Sequence, residues 1–575
     1  MMTPPRRFAP RLLTALIAAG IAMTAGAQED IRLPDLGSSA NALISPQEAQ
    51  DYGAAMLRQM RALNMVVDDP LLDDYINDLG YRLVAACDKP KEHFAFFIVK
   101  DPEINAFAAP GGYIAVNSGL ITITQNESEL AGVIAHEIGH ITQNHLQRAF
   151  EDSKKDAPLM ALVLLGAIVA GAGSHSGDAP MAVLAGGQGL IAQKSINFTR
   201  HDEIEADRVG IQTLASAGFD PNAMADFFER MQDVMSANAG GHDVPALLQT
   251  HPVTTLRISD AKARAGALIA AQKLHPSGSL LEKQLWDRST APIPFVKDPA
   301  ALAHPPVAPD HLVTWALMRE RVRVLAGNAA REVTYYASNL RHQHGFDTPA
   351  NRYGYALALT RSGDGEAAVE QLQPLLKAHP GNMIVQLAMA DARLQAGQRA
   401  AALAIYSNLN TLSPRNRAVA LAYAKALTFN GDKPQAAQAA DLLRPLLDTT
   451  EEPEIYSAYA RASEKAGDSE RAGEAFADAS YYSGRPFDAM EQLKQLLKRD
   501  DLDYYARARI QARIAELTPL VLELEKRRVK TPDNPAAASP LRGGGNCTGR
   551  VCVGLDAAGG MMPARGPAAA GSPSW

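Results

Sequence analysis

The sequence has few cysteines, little net charge and no apolar run long enough to cross a membrane comfortably. Three cysteines in 575 residues are few for an exported chain, and none of them resembles a metal ligand. The net charge of −7 is too mild to indicate a nucleic-acid-binding protein, which usually carries a basic patch. With 47% hydrophobic and 21% charged residues, the composition is that of a soluble globular protein, and the length predicts two or three domains.

The N-terminus has the layout of a signal peptide. Basic residues up to Arg11 precede an apolar run over residues 12–24, and the small residues Ala25-Gly26-Ala27 follow it. The apolar run is shorter than the roughly 20 residues that a membrane-spanning helix needs. We therefore expect residues 1–27 to direct export to the periplasm and to be cleaved off after Ala27, with an uncleaved membrane anchor as the alternative.

The C-terminal residues 521–575 are rich in Gly, Pro, Ala and Ser, which predicts a disordered tail. Cys547 and Cys552 lie in this tail and could close a small disulfide loop in an oxidising compartment. The third cysteine, Cys87, ends an apolar helical pattern and is predicted to be a buried thiol. The tail itself indicates nothing about the chemistry of the chain.

Residues 28–274 combine helical patterns with two short strands. The first helix is expected to start at Ser45, which is suited to cap it. Residues 94–99 and 113–117 are rich in β-branched and aromatic side chains, and the turn Pro110-Gly111-Gly112 stands between them. This pattern predicts a hairpin-like strand pair.

An uncharged, Ala- and Gly-rich stretch at residues 159–171 has two interpretations. It predicts a buried helix followed by a loop, or alternatively a segment that contacts a membrane peripherally or gates the site. It is too short and too broken by glycine to predict a membrane-spanning helix. Residues 275–310 are rich in Pro and loop-forming residues and predict a linker.

Residues 311–520 are rich in Ala and Leu, helical in pattern and repetitive. The repeat period is about 34 residues, which is typical of tetratricopeptide repeats. The glycines at the predicted turns and the prolines at two repeat ends are Gly363, Gly397, Gly431, Gly467, Pro380 and Pro414. The prediction is a helical solenoid, with a generic helical bundle as the alternative.

The segment Ala135-His136-Glu137-Ile138-Gly139-His140 carries the strongest chemical signal in the chain. It is a His-Glu-x-x-His motif within a helical run over residues 127–150. Residues four apart lie on one face of a helix, so His136 and His140 can bind one metal ion together. Glu137 faces the water that the metal activates and can take its proton as general base. Because so short a pattern also occurs by chance, two surface histidines on an ordinary helix are the alternative.

A catalytic zinc site normally has three protein ligands, and the best third candidate lies in the acidic segment 202–207. Glu203 and Asp207 are four residues apart on one helical face, whereas Glu205 points elsewhere. One carboxylate can bind the metal, and the other can accept a hydrogen bond from a ligand histidine and fix its tautomer. The alternative is a solvated acidic start of a helix, where carboxylates are favoured.

The two motifs together resemble those of the peptidase family that contains the CAAX prenyl endopeptidases and the HtpX heat-shock protease. The second motif runs over residues 203–210 as Glu-x-Glu-Ala-Asp-Arg-x-Gly. With the signal peptide and the repeats, the chain is similar to the BepA-like periplasmic branch of that family up to about residue 520. This resemblance covers nearly the whole chain except the tail.

The resemblance implies roles for the residues of both motifs. It implies one Zn²⁺ ion per chain, held by His136, His140 and Glu203, with Glu137 as the catalytic base. Asp207 matches an acid to which the family assigns proton donation. A hydrogen bond from Asp207 to a ligand histidine is the role that physical reasoning favours, and the two roles overlap.

The resemblance also implies a regulatory residue. His251 could approach the zinc as a fourth ligand and keep the enzyme latent, although a lone loop histidine is more often a surface residue. Arg257 could stabilise the oxyanion. We also expect an edge strand to which extended substrates add by backbone pairing. It comprises Tyr113, Ile114, Ala115, Val116 and Asn117.

The sequence therefore predicts a mainly α-helical protein. A zincin-like α+β metallopeptidase domain with a small sheet should precede an α-solenoid of tetratricopeptide repeats. The expected activity is that of a periplasmic zinc endopeptidase acting on misfolded or stalled envelope proteins. The outer-membrane clients, and docking of the repeats on the β-barrel assembly machinery, are implied by the resemblance. The alternative is a chaperone-like scaffold with a latent protease site, and the ligand set also suits other divalent ions.

Overall fold

The computed structural model describes residues 45–90, 92–152, 200–237, 246–274, 312–526 and 532–533. Within them the protein is mainly α-helical with one small sheet, which confirms the predicted fold class at that level. No helix among the described residues is long and apolar enough to span a membrane. The expected signal peptide, the stretch 159–171, the linker 275–310 and the tail cysteines lie outside the described residues.

The first helices begin at residues whose side chains satisfy free backbone N–H groups. Helix α1 (Pro46–Ala62) has Ser45 as its N-cap, as predicted, and Ser45 and Glu48 form a reciprocal capping box. Helix α2 (Pro70–Ala85) has Asp69 as its N-cap. Both helices start with proline, whose missing N–H costs nothing at the first helical position.

A three-stranded sheet follows, and its topology differs from the predicted strand pair. Strand β1 (Ala95–Val99) runs parallel to β3 (Tyr113–Asn117), and β2 (Ala106–Ala109) runs antiparallel along the other side of β3. The hairpin around Pro110–Gly112 therefore joins β2 to β3, with two glycines at positive φ. The sequence pattern missed β2 because an alanine-rich segment of four residues has little intrinsic strand preference.

The expectation that Tyr113–Asn117 is an edge strand is wrong. Strand β3 lies at the centre of the sheet, and all of its residues are buried. Its backbone groups already pair with β1 and β2, so it cannot accept a further strand. Among the described residues no strand pairs with the outer side of β2, so Ala106–Ala109 offers the free edge.

Seven further helices complete the described part of the first region. They are α3 (Ser118–Ile123), α4 (Glu127–Thr142), α5 (His145–Asp152), α6 (Arg200–Ser216), α7 (Ala223–Ala237), α8 (Ala246–Thr250) and, as the longest, α9 (Thr255–Leu274). The predicted helical run over residues 127–150 is thus two helices. The break lies at Asn144, whose φ of 57° is left-handed.

Helix α4 lies in the middle of the hydrophobic core. Its side chains from Glu129 to His140 are all buried. Leu79 of α2, Ile114 of β3 and Ile134 of α4 belong to one cluster of buried side chains and are at most 1% exposed. Cys87 is a buried free thiol next to the same core, as predicted. A helix buried on all sides places its polar residues in the protein interior, where they need partners.

The second region is entirely helical within residues 312–526. Its elements are α10 (Leu312–Ala326), α11 (Ala329–His342), α12 (Pro349–Arg361), α13 (Gly365–Ala378), α14 (Met383–Gln395), α15 (Arg399–Leu412), α16 (Arg417–Thr428), α17 (Lys433–Leu447), α18 (Pro453–Ala466), α19 (Ser469–Tyr482), α20 (Pro486–Leu497) and α21 (Tyr504–Lys526). Consecutive helices pack against each other, and α12, α14, α16 and α18 also contact one another in turn. Helix α21 extends beyond the predicted boundary at residue 520.

The predicted turns between these helices have left-handed residues. Gly363, Gly397 and Gly467 have φ of 90°, 75° and 94°. At the remaining turn the left-handed residue is Asn430, with φ of 51°, and not its neighbour Gly431. Asparagine is the residue other than glycine that most readily ends a helix in this conformation.

The helical region packs directly on the first region. Helix α10 lies against α2 and α3, and α16 also contacts α2. Arg321 of α10 forms a bidentate ion pair with Asp69, with N–O distances of 2.7 and 2.6 Å. The two side chains are only 11% and 13% exposed. Because Asp69 also caps α2, this pair connects the helical region to the start of a core helix of the first region.

We predict that Arg321→Met lowers the free energy of unfolding by about 3 kcal/mol, because it leaves a largely buried carboxylate without its cation. Urea unfolding of the full chain measures the change. Arg352→Met is the matched control, since Arg352 forms a bidentate pair with Asp347 whose side chains are 35% and 55% exposed. That variant should lose less than about 1 kcal/mol. Equal losses in the two variants would contradict the structural role of the Arg321 pair.

Candidate metal centre

Two glycines let helices α4 and α6 approach each other closely. A Cβ atom added at Gly139 of α4 would lie 3.0 Å from the carbonyl oxygen of Ala206 in α6. One added at Gly210 of α6 would lie 3.1 Å from the backbone nitrogen of His136. Any side chain at these positions would push the helices apart. The close contact brings the acidic face of α6 beside the histidines of α4.

Four side chains that the sequence singled out converge in the interior. His136, His140, Glu203 and His251 each offer one nitrogen or oxygen atom, and these atoms lie within 4.8 Å of one another. All four residues are at most 5% exposed. Nε2 of His136 lies 3.0 Å from Nε2 of His140, and oxygens of Glu203 lie 3.6 and 3.5 Å from these two nitrogens. Nδ1 of His251 lies 3.0 Å from Glu203 Oε1 and 3.4 Å from His136 Nε2.

These separations fit the ligand set of one tetrahedral ion. With bonds near 2.1 Å, the ligand atoms of a tetrahedral zinc site lie roughly 3.4 Å apart. Two imidazoles and one carboxylate, with room for a further ligand, form a typical catalytic zinc set. The residues present therefore fit a divalent metal ion. The assignment of His136, His140 and Glu203 as its ligands stays a prediction.

The charges of the cluster favour a bound cation. Burial lowers the pKa of His140 well below its usual value, so that imidazole is neutral and can act as a ligand. Burial also opposes protonation of His136, but hydrogen bonds with Asp207 and Glu203 outweigh it and raise its pKa to about 10. A divalent ion supplies the same positive charge between these two carboxylates, so it can replace that proton.

Asp207 fixes the orientation of a histidine in the cluster. Its Oδ1 lies 2.9 Å from Nδ1 of His136. Because a carboxylate only accepts, Nδ1 of His136 carries a hydrogen, which leaves Nε2 as the nitrogen that can bind a metal ion in place of its proton. Burial opposes ionisation of Asp207, but Arg257 and His136 hold its pKa below the usual value. The geometry thus places Asp207 in the supporting position that its spacing suggested.

Arg257 lies behind two carboxylates and not at the open side of the cluster. Its guanidinium donates to both oxygens of Asp207 at 2.6 and 2.7 Å and lies 2.8 Å from Glu203 Oε2. It also donates to the backbone oxygen of Pro252 and stacks over the ring of Phe228. The structure gives Arg257 a supporting position in place of the expected contact with an oxyanion.

Glu137 lies beside the cluster, one step around α4 from the two histidines. Its Oε1 is 3.7 Å from Nε2 of His251, and the residue is 1% exposed. Burial raises the pKa of Glu137, while the His251 and His136 side chains and the backbone amide of Ala108 in β2 lower it. A carboxylate with a raised pKa accepts a proton more readily, which is what a general base requires.

His145 is a residue of this centre that the sequence pattern missed. Its Nδ1 lies 2.9 Å from Nδ1 of His140, and its Nε2 lies 3.1 Å from Glu205 Oε2. Glu205 points away from the cluster, as its helical position predicted, but it does so towards His145. In a continuous helix His145 would lie on another face from His140, so periodicity contained no signal for this contact.

Known peptidases are similar to this chain. Residues 70–265 match the model of Peptidase family M48. The beta-barrel assembly-enhancing protease of Yersinia pestis is 33% identical over 512 residues, which are 88% of this chain and 96% of that protein. The chain belongs to peptidase family M48. The beta-barrel assembly-enhancing protease of Escherichia coli strain K12 is 32% identical to this M48 peptidase over 519 residues. The match covers 90% of this chain and 98% of the relative.

Other relatives match a shorter part of this M48 peptidase. The mitochondrial metalloendopeptidase OMA1 of Schizosaccharomyces pombe is 30% identical over 184 residues, 32% of this chain and 50% of the relative. The family and these metalloendopeptidase relatives make this chain a metalloprotease. The resemblance inferred from the two sequence motifs is therefore confirmed at the level of the family.

We predict that Glu203→Gln lowers the zinc affinity of the purified M48 peptidase. The loss should exceed the reduction of about 10–100-fold that follows when a residue supporting a metal ligand is removed. The neutral amide is a poorer ligand and leaves the cluster with one negative charge fewer. Zinc per chain, measured by atomic emission after dialysis against a weak chelator, tests this. Glu229→Gln, which removes an exposed carboxylate paired with Lys262, should retain the wild-type zinc content. Full zinc occupancy in Glu203→Gln would remove Glu203 from the ligand set.

Proposed function

We propose that this M48 peptidase is an exported zinc endopeptidase that hydrolyses misfolded or stalled outer-membrane proteins in the periplasm. The convergence of His136, His140 and Glu203 beside Glu137 is the observation that carries the catalytic part of the proposal. The similarity to proteins named beta-barrel assembly-enhancing proteases, over about nine-tenths of the chain, supports the compartment and the class of substrate.

Each side chain at the metal site has a separate role in peptide hydrolysis. A bound Zn²⁺ ion supplies Lewis-acid chemistry, polarising the scissile carbonyl and acidifying water. Glu137 takes the proton of the attacking water and delivers it to the leaving amine. Asp207 keeps His136 in one tautomer, and Arg257 keeps Asp207 ionised and in place. Burial of the cluster excludes bulk water and strengthens these electrostatic contacts.

The free edge of β2 is the best binding site for an extended substrate. Within the described part of the sheet, no strand pairs with the outer side of Ala106–Ala109. The amide of Ala108 also approaches the carboxylate of Glu137, so a chain paired with β2 would pass beside the proposed base. Recognition through backbone pairing depends little on side chains, which suits unfolded clients of many sequences.

His251 is proposed to block the metal centre in its inactive state, and we call this residue the latch. Its ring lies within the cluster, 3.0 Å from Glu203 and 3.7 Å from Glu137, where it would occupy the position that water or substrate needs. It directly follows the short helix α8 and contacts His136 of α4 and Glu203 of α6. Activity would then require His251 to move away. The same closed arrangement favours a second candidate function, that of a chaperone-like scaffold whose protease site stays shut.

The helical region is proposed to be a solenoid of tetratricopeptide repeats that docks on partners. The helix pairs in sequence, the contacts between alternate helices and the left-handed turn residues support this assignment. The partners proposed are the β-barrel assembly machinery and misassembled clients. The names of the relatives that match through this region support that choice.

We predict that Glu137→Gln keeps the zinc content of the wild type and lowers casein hydrolysis by about 10²–10⁴-fold, because it removes the base and no ligand. Zinc analysis and peptidase assays on the same preparation test both parts. Complementation of an envelope defect in a strain lacking the gene then separates the two functions. If the Glu137→Gln protein complements fully, the scaffold function is the physiological one. If it fails, the peptidase function stands.

We predict that His251→Ala raises the rate of casein hydrolysis at unchanged zinc content, because it removes the latch and leaves the proposed ligands in place. His342→Ala is the control, since His342 is an exposed histidine of the helical region that contacts only a backbone carbonyl of its own helix among the described residues. It should leave the rate unchanged. A His251→Ala protein that binds zinc normally and is no faster than the wild type would refute the latch.

A further inference from the structure

We propose that His145 is a positioning residue of the metal centre. It receives the Nδ1 hydrogen of His140 and is itself held by Glu205, so that Nε2 of His140 stays directed at the metal ion. The proposal rests on the proposed role of His140 as a ligand. It adds to the centre a side chain that lies outside both sequence motifs and contacts His140 and Glu205.

The distances determine where the hydrogens lie in this chain of contacts. Nδ1 of His140 and Nδ1 of His145 are 2.9 Å apart, so one nitrogen donates and the other accepts. If Nε2 of His140 presents its lone pair to a metal, Nδ1 of His140 must carry the hydrogen and donate it. His145 then accepts at Nδ1 and carries its own hydrogen on Nε2, which lies 3.1 Å from Glu205 Oε2. The carboxylate only accepts, so each of the contacts is satisfied by a single arrangement.

The surroundings of His145 favour the neutral form that this arrangement needs. The side chain is completely buried, where an unpaired charge would be costly. Arg148 Nη2 lies 2.9 Å from both Glu205 and Asp202. Thus the buried imidazole of His145 stands between a second imidazole and a carboxylate that is paired with an arginine.

The backbone is shaped to make this contact. Residues five apart in a continuous helix point about 140° away from each other around the axis, too far for His140 and His145 to meet. Asn144 takes a left-handed φ of 57° between α4 and α5, and its N–H bonds to the Ile141 carbonyl as the helix ends. The break turns the first residue of α5 back onto the last turn of α4.

The two histidines of α4 are supported in the same way. His136 donates from Nδ1 to Asp207, which is held by Arg257. On the other side, the chain from His140 passes through His145 to Glu205, which is held by Arg148. In each case the ligand imidazole is linked to a carboxylate neutralised by an arginine. A carboxylate at the end of such a chain raises the basicity of the ligand nitrogen.

A second metal ion held by His145, Asp202 and Glu205 is the competing interpretation, because their ligand atoms also lie within 4.8 Å of one another. Two observations favour positioning. The guanidinium of Arg148 already lies against both carboxylates and supplies their positive partner. In addition, Nδ1 of His145 is engaged with His140, so the ring orientation is explained without an ion.

The test compares three variants of the full chain: His145→Leu, His145→Asn and Glu205→Gln. Leucine fills the volume but cannot accept a hydrogen bond, whereas the Asn side-chain oxygen can occupy the place of Nδ1. We expect zinc affinity, measured by chelator competition, to fall about 10–100-fold in His145→Leu and to be largely restored in His145→Asn. The zinc affinity of Glu205→Gln should fall less than that of His145→Leu. Adding Glu205→Gln to His145→Leu should lower the zinc affinity little further, because the residues act as one unit.

The same titrations separate the competing outcomes. If the wild type binds no zinc, the proposed function fails. If the wild type binds one zinc and His145→Leu binds it equally well, only the positioning role of His145 is overturned. Two zinc ions per wild-type chain, with one lost in His145→Leu, would establish the second metal site instead. The thermal stability of the zinc-free protein is the last readout. If His145→Leu and His145→Asn both lower it without changing the zinc affinity, His145 is merely structural and the proposal is overturned.

Discussion

A buried group of imidazoles and carboxylates needs a cation, and much of the first region is arranged around that need. The cluster lies in the interior, where unpaired polar groups are costly. Glycines at the crossing of α4 and α6 let the ligand atoms approach to 3.0–3.6 Å. Two arginines lie behind the cluster: Arg257 and Arg148 pair with the supporting carboxylates, and Arg257 also lies 2.8 Å from the central carboxylate, Glu203.

The parts of this centre that the sequence predicted are those that lie within one helix. His136 and His140 share a face of α4 and Glu203 and Asp207 share a face of α6 because residues four apart always do so in a helix. The start of α1 followed from its capping residues in the same local way. Each of these relations depends on helical geometry alone, so the amino-acid order was sufficient to predict it.

The errors concern relations between segments. The order β1-β3-β2 depends on a parallel pairing of two strands that are separated in the sequence. It also depends on β2, which is too short and too rich in alanine for its sequence to predict a strand. The contact of His145 depends on one left-handed residue, Asn144, and the position of Arg257 depends on how α9 packs on α6. Periodicity carries no information about such tertiary contacts, so it could indicate neither the position of Arg257 nor the contact of His145.

The segment that carries the proposed latch also contacts the proposed substrate edge. The backbone N–H of Leu247 in α8 donates to the carbonyl of Ile104, which lies just before β2, at 3.1 Å. A polypeptide that adds to β2 and extends past its start would compete with this hydrogen bond. His251 follows α8 directly, so displacement of α8 from Ile104 and removal of His251 from the cluster would be linked movements. Substrate binding would thereby supply the differential interaction that opening of the centre requires.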